Sequence, residues 1–250
     1  MKTVEGLSLF ILIIAVIALF SAGLVLAVVP FGADITENVT TRAAPDDPEL
    51  HNANAGNVTY MTIFGYSVTQ AWQGYYGNVS GTIMLADNND KVLYNWSLAN
   101  PEGEVYATEN GTGQVDWGNV ECFNISENGN LTALETWFNI SSADPDGVNE
   151  TFSYSNDHDV FYTADETFSY GECAAAFMFN SSGASDPTQF QEVLLTDQSD
   201  DVQIIFVALI EEFGRAGFDG NNYDFEMVVL ENGHGTDTAY RNYYFYVELQ

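Results

Sequence analysis

Basic residues are scarce in this chain of 250 residues: five Lys and Arg stand against 36 Asp and Glu, which gives a formal net charge of −31. Proteins bind nucleic acid through clustered Lys and Arg that contact the phosphates. The five cations here are scattered along the chain, at Lys2, Arg42, Lys91, Arg215 and Arg241. We therefore exclude nucleic acid as a partner, and the same shortage disfavours docking on an anionic lipid surface.

Recognisable catalytic motifs are also lacking. The chain has no G-x-S-x-G, no H-E-x-x-H, no Walker loop and no dinucleotide-binding fingerprint. Its three histidines, His51, His158 and His234, are isolated among polar or glycine residues, where we expect exposed loops. Nothing in the sequence singles out a pair of carboxylates for acid–base catalysis. The sequence thus predicts a protein that is not an enzyme and holds no cofactor.

Two acidic loops, 144–150 and 219–224, place carboxylate and amide oxygens close together in sequence. Neither loop has the EF-hand spacing, in which a glycine and a bidentate glutamate occupy fixed positions. Solvated turns are therefore the favoured interpretation, and weak binding of Ca²⁺ or Mg²⁺ is left open.

Cysteine is limited to Cys122 and Cys173. Outside the cell such a pair most simply forms a disulfide, although two separate buried thiols are the alternative. A bond between them would close a loop of about fifty residues and stabilise the fold by about 4 kcal/mol. Zinc is disfavoured, because two Cys without a nearby His or a third Cys do not complete a tetrahedral site.

The N-terminal region is long, apolar and free of charge. No residue from Gly6 to Ala33 is charged, and residues 7–29 are nearly all Leu, Ile, Val, Ala and Phe. As a helix, residues 7–29 would be about 35 Å long, enough to cross a bilayer. Because Lys2 lies before this run and the acidic bulk follows it, the positive-inside rule places the N-terminus in the cytoplasm and the body outside the cell. We expect an extracellular or cell-surface protein.

Three interpretations of this region compete. It is a retained membrane anchor, a secretory signal cleaved after Val25-Leu26-Ala27, or a pilin-type leader. The hexapeptide Met1–Gly6 followed at once by an apolar run resembles the leader of archaeal type IV pilin-like proteins, including archaellins. The resemblance implies cleavage between Gly6 and Leu7, and packing of the apolar helices of many copies into a filament core. It departs from the family pattern at Glu5, where a Lys or Arg is usual. The predicted partners of residues 7–29 are therefore other copies of the chain or membrane lipid.

Acceptor triplets for N-glycosylation are abundant, and about three would arise by chance where the chain has ten. Either these triplets are glycosylated at the surface, or they result simply from a composition rich in Asn, Ser and Thr. We predict a glycoprotein. The acceptor asparagines are Asn38, Asn57, Asn78, Asn95, Asn110, Asn124, Asn130, Asn139, Asn149 and Asn180.

The rest of the chain predicts a mainly β fold. Residues 1–6 form a leader or cytoplasmic stub, 7–29 a hydrophobic helix, 30–56 a linker, and 57–250 a β-rich extracellular domain of β-sandwich or barrel-like type. Short apolar or alternating runs, Leu131–Ile140 among them, are separated by turns rich in Gly, Asn and Asp. The continuous run Val202–Ile210 is either a strand covered on both faces or a short buried helix. The alternating run that ends at Leu249 predicts a closing strand.

The body is similar to uncharacterised surface proteins of small, uncultivated archaea. The residues that prompt this are GNVSGTI at 77–83, GEVYA at 103–107, DFEMVV at 224–229 and the closing YYFYVEL at 243–249. The resemblance implies a cell-surface location and a β-rich ectodomain, and no particular activity.

A cluster of aromatic residues, Trp72, Tyr75 and Tyr76, lies between Gln70 and Gly77. Such clusters bind sugars, form protein contacts, or mark half-buried strand ends.

Taken together, the apolar N-terminus, the glycan acceptors and the two resemblances favour a non-enzymatic structural subunit of the archaeal cell surface, glycosylated and either anchored or filament-forming. The alternative is a membrane-anchored module for carbohydrate binding or adhesion, with these three aromatic residues contacting surface glycans.

Overall fold

The computed structural model describes residues 29–126, 130–197, 203–232 and 240–250. The predicted leader site at Gly6 and Leu7 and the predicted helix, except for its last residue, lie outside these ranges. Within them, no helix combines the length and the apolar character that crossing a bilayer requires.

The described residues contain fifteen strands and two short α-helices. The helices are α1 (Leu131–Trp137) and α2 (Val148–Thr151). The strands are β1 (Phe31–Gly32), β2 (Trp72–Gly77), β3 (Thr82–Ala86), β4 (Val92–Ser97), β5 (Gly103–Thr108), β6 (Glu121–Cys122), β7 (Phe161–Thr163), β8 (Glu166–Phe168), β9 (Ala175–Phe177), β10 (Gln191–Thr196), β11 (Ile205–Leu209), β12 (Arg215–Ala216), β13 (Asn222–Tyr223), β14 (Phe225–Leu230) and β15 (Tyr244–Leu249). The mainly β prediction is confirmed.

Seven strands form a central antiparallel sheet in the order β1-β15-β5-β11-β10, with β6 and β9 sharing the far edge of β10. Both faces of this sheet are buried. In β11, Phe206 and Ala208 join the hydrophobic core on one face, whereas Ile205 and Val207 join the core on the other. Of the two alternatives for the continuous apolar run, the strand covered on both faces is therefore the one that forms.

Different elements cover the two faces. The ribbon of β2 and β14 packs on one face across β10 and β11, together with the helices. The β7–β8 hairpin covers the other face, where Phe161 and Phe168 stack with their ring centroids 4.7 Å apart. The result is a layered β structure in which the β2–β14 ribbon packs face to face on the larger sheet, as the sheets of a sandwich do.

The prediction of a strand at Leu131–Ile140 is wrong, because residues 131–137 form α1. Leu131, Leu134 and Phe138 are buried, at spacings of three and four residues. That spacing puts them on one side of a helix, whereas a strand would bury every second residue.

The closing strand forms as predicted, and it brings part of the predicted linker into the central sheet. β15 pairs with β5 on one side and with β1 on the other, so Phe31 and Gly32 belong to the sheet although they fall in the predicted linker. From residue 33 to residue 70 the structure has no strand or helix, and nearly all of these side chains are exposed. This stretch is longer than the predicted linker, since it includes the apolar residues 57–69.

Candidate functional site

The two cysteines form the predicted disulfide. Cys122 in β6 is bonded to Cys173, just before β9, with the Cα atoms 5.1 Å apart. Both strands lie against β10, so the bond fastens the two short strands that share its edge. This is a structural element of the core rather than a reactive thiol pair.

His158 is completely buried, which corrects the expectation of an exposed loop histidine. Its Nε2 accepts a hydrogen bond from the backbone N–H of Cys173 at 2.9 Å, and its Nδ1 lies 2.7 Å from the carbonyl oxygen of Asp159. With Nε2 as acceptor, the proton of the neutral ring lies on Nδ1 and is donated to Asp159. The ring thus positions the backbone beside the disulfide.

Trp72 is half-buried and packs against the core. Its ring lies 6.0 Å from that of Phe152 and 6.4 Å from that of Phe206, and its Nε1 donates to the carbonyl oxygen of Asp146 at 2.6 Å. Tyr75 also packs against the core, with its ring edge-on to that of Phe245. The structure therefore does not bring the three predicted aromatic residues onto one ligand-binding surface.

Tyr76 is the exposed member of the three, and it has different aromatic neighbours. Its ring lies 5.0 Å from Phe218 and 4.8 Å from Tyr223. The carboxylate of Asp219 accepts from the hydroxyl of Tyr223 at 2.9 Å and from Asn221. Exposed rings beside carboxylate and amide groups are the surroundings in which proteins bind sugars.

Two buried glutamates lie under the β7–β8 hairpin. Oε1 of Glu104 accepts from the backbone N–H of Tyr162 at 3.3 Å, and Oε2 of Glu248 accepts from the N–H of Ala164 at 3.0 Å. Both side chains are almost fully buried. They anchor the hairpin to the central sheet by accepting hydrogen bonds from its backbone N–H groups.

Burial raises the pKa of both carboxyls. It raises the pKa of Glu104 from its ordinary 4.5 to about 8, and the negative charge of Glu248 contributes in the same direction. Burial likewise raises the pKa of Glu248. The hydroxyl of Tyr106 lies 3.1 Å from Oε2 of Glu248 and 3.2 Å from the hydroxyl of Thr163. The carboxylates, the tyrosine and the hairpin form one buried polar network.

An open cavity of about 660 Å³ lies beside Glu104. Five acidic residues and one basic residue, Arg215, line it, and Arg215 is ion-paired there with Glu211. Oε2 of Glu104 has no hydrogen-bond partner in the described residues. Nowhere in those residues do three or more His, Cys, Asp or Glu side chains converge as a metal site would require. The negative charge of the cavity can attract cations, and the buried glutamates beside it hold the β7–β8 hairpin on the sheet.

The carboxylates of the two acidic loops accept hydrogen bonds from the protein itself. Oδ2 of Asp144 accepts from the backbone N–H of Ser141 at 2.7 Å, and Asp146 accepts from the hydroxyl of Thr69. Asp219 accepts from the N–H of Asn221 at 2.9 Å. The contacts of Asp144 and Asp219 form turns, whereas that of Asp146 joins the loop to a residue 77 positions away. Weak Ca²⁺ or Mg²⁺ binding stays a prediction.

None of the ten predicted glycan acceptors is buried. Three are half-buried, and two of these use the amide nitrogen in a hydrogen bond: Asn110 donates to Gln203, and Asn180 donates to Asp186 at 3.1 Å. Exposure permits glycosylation, which stays a prediction. The fully exposed acceptors are Asn38, Asn57, Asn78, Asn95, Asn124, Asn139 and Asn149.

The β3–β4 hairpin presents an apolar face that sequence reasoning missed. Ile83 pairs with Trp96, and Leu85 pairs with Tyr94. Paired residues of an antiparallel ladder lie on the same face and alternate with the other face, so these four side chains form one surface, which we call the apolar face. Each is between 46% and 60% exposed. Asn95, a glycan acceptor, pairs with Met84 on the opposite face.

Residues 57–69, which we call the extended segment, expose further apolar side chains. Val58, Tyr60, Ile63 and Phe64 are all more than 80% exposed. No residue from 52 to 86 is Asp, Glu, Lys or Arg, although 16% of the chain is charged. The signal that could have revealed both surfaces was this charge-free stretch, which contains the extended segment and β3.

No protein-family model, no curated protein and no solved structure matches the chain. The geometry of the described residues is therefore the basis for assigning a function.

Proposed function

We propose that the chain is a non-enzymatic structural protein of the archaeal cell surface: exported, glycosylated, and held by residues 7–29 in the membrane or in a filament core. The observation that carries the proposal is the exposure of apolar side chains on two surfaces, the apolar face of the β3–β4 hairpin and the extended segment. Monomeric soluble proteins rarely expose contiguous apolar patches larger than a few hundred Å², and larger ones mark interaction sites.

Several features support an extracellular setting. The disulfide fastens β6 and β9, and such bonds persist in oxidising compartments. The glycan acceptors lie at the surface. A net charge of −31 keeps copies apart over most of the surface, so association is directed to the charge-free regions.

A specific observation favours a second candidate function, carbohydrate binding. The exposed rings of Tyr76 and Phe218, beside the half-buried Tyr223 and the carboxylate of Asp219, offer aromatic and polar groups to a sugar. This candidate uses a different surface from the hairpin, so the two functions are separable by experiment.

The mass of the mature N-terminus, combined with electron microscopy of the purified protein, tests the principal proposal. A chain that begins at Leu7 and forms filaments supports the pilin-like form, and a chain that begins at Met1 and needs detergent supports the anchored form. A soluble, monomeric chain that begins at Val28 and carries no glycan mass would contradict the proposal.

A further inference from the structure

We propose that copies of this chain join head to tail by strand addition, in which the extended segment of one copy pairs with the outer edge of β3 in the next copy. The inference rests on the proposed structural function and names the contact through which the subunits associate. It follows from the open strand edge of β3, the exposure of the extended segment, and the absence of charge on both.

Each surface is incomplete on its own. The β3–β4 hairpin makes no other strand pairing in the described residues, and a two-stranded hairpin is marginally stable in water. The outer edge of β3 leaves backbone N–H and C=O groups available for a further strand. The bulge between Leu85 and Ala86 leaves Leu93 unpaired in β4, so the register is interrupted on that side. The edge of β3 is therefore the better one for a third strand.

The extended segment has the sequence of a strand that lacks a partner. Its even-numbered positions from 58 to 68 read Val, Tyr, Thr, Phe, Tyr, Val, all residues that favour strands. When it lies beside β3, Tyr60 and Phe64 are within reach of Ile83 and Leu85 on the apolar face. Such cross-strand pairs of aromatic and aliphatic side chains contribute about 0.2–1 kcal/mol each.

The chain's own extended segment does not occupy the edge of β3: Val58, Tyr60 and Phe64 are more than 80% exposed, and the β3–β4 hairpin has no third strand in the described residues. A second copy is therefore the occupant that we infer.

β2 is fixed on the core by Trp72 and Tyr75. The extended segment leaves the domain at the Trp72 end of β2, whereas the hairpin begins beyond its Gly77 end. Six strand residues separate these ends by about 20 Å. Because the segment and the hairpin are two different surfaces, their pairing between copies is a heterologous contact, which repeats without closing when the rotation does not form a ring.

Charge also favours this contact. Two copies that each carry −31 repel wherever their acidic surfaces face each other. The extended segment and β3 lie in the charge-free stretch 52–86, so their approach adds no like-charge pair at the contact itself. A glycan on Asn95 would lie on the face opposite the apolar face and leave the latter open.

The test uses the full chain in detergent, which covers residues 7–29, and measures mass against concentration by sedimentation velocity. A segment variant, Phe64→Asp, and a hairpin variant, Leu85→Asp, each damage one side of the contact. Leu50→Asp adds the same charge at a 91% exposed position outside the contact and serves as the matched control. Near-ultraviolet circular dichroism verifies that all variants remain folded.

We expect wild type and Leu50→Asp to form a series of oligomers, and each contact variant alone to associate at least tenfold more weakly. An equal mixture of the two contact variants should form one-to-one dimers and stop there, since each retains one intact side. Oligomers formed by either variant alone, or a mixture that stays monomeric, would overturn strand addition while leaving the structural function in place. Wild type that is monomeric at every concentration would overturn strand addition alone. The structural function fails separately, if the mature chain begins at Val28, is soluble and monomeric without detergent, and carries no glycan mass.

Discussion

Glu104 and Glu248 lie directly opposite each other on β5 and β15, and each accepts a hydrogen bond from the backbone of the same overlying hairpin. Like charges directly opposite each other on a sheet are destabilising. The pair is tolerated because burial and mutual repulsion raise the pKa of Glu104 to about 8, so that this carboxyl is largely protonated at neutral pH.

The protein should therefore be more stable at pH 5 than at pH 8. Between its ordinary pKa of 4.5 and its folded pKa of about 8, Glu104 binds its proton more tightly in the folded state. Stability is lost as the pH rises through this window, by up to about 1.4 kcal/mol per pH unit for each such carboxyl. Burial also raises the pKa of Glu192, which adds in the same direction.

Urea denaturation between pH 5 and 8 measures this slope. Glu104→Gln should reduce the slope, whereas Glu49→Gln, at an exposed position, should not change it. A stability that rises with pH across the window would contradict this account of the pair.

Loss of the disulfide should lower the free energy of unfolding by about 4 kcal/mol, because a loop of this length restricts the unfolded chain. Urea denaturation with and without a reducing agent measures the difference. The Cys122→Ala/Cys173→Ala double variant supplies the control, since its stability should not respond to the reducing agent. An equal response of wild type and double variant would mean that the agent acts elsewhere.

His158→Ala should destabilise the fold by about 2–4 kcal/mol. The substitution leaves a cavity in the core and deprives the buried N–H of Cys173 of its acceptor. Thermal or urea denaturation measures the loss. His51 lies in the exposed stretch before the extended segment, so His51→Ala should leave the stability unchanged. Equal effects of the two substitutions would show that the ring of His158 does not support the core.

Substitution of two aromatic residues of β2, Trp72 and Tyr76, should have different effects on stability. Trp72→Ala should lower the stability by about 3 kcal/mol, because Trp72 contacts Phe152 and Phe206. Tyr76→Ala should have little effect on stability but abolish any glycan-array signal that wild type gives. If Tyr76→Ala retains that signal, the cluster with Phe218 and Tyr223 is not the sugar site.

Much of the fold could be predicted from local sequence patterns. Alternation at the C-terminus indicated β15, and the apolar run up to Ile210 indicated a strand covered on both faces as one of two alternatives. The same kind of reasoning failed for Leu131–Trp137, where the apolar spacing is helical and was interpreted as a strand. The error concerned the period of a short run, in which helix and strand patterns overlap.

The candidate site could be predicted only in part. The sequence marked Trp72, Tyr75 and Tyr76 as a group, but which of these rings is covered depends on the distant elements that pack over each end of β2. Nothing near His158 in sequence signals burial, since its partner Cys173 is fifteen residues away. The charge-free stretch 52–86 was visible, whereas the exposure of Ile83 and Phe64 was not.

The sequence by itself determined the β class, the cysteine pair and the unequal charge, because these depend on composition and on spacing between neighbouring residues. Tertiary structure decided which apolar residues are covered, which carboxylates meet, and which strand edges stay open. Those properties arise from contacts between residues far apart in the chain, such as Glu104 with Glu248. The pairing of two distant strands is not encoded in the local pattern of either.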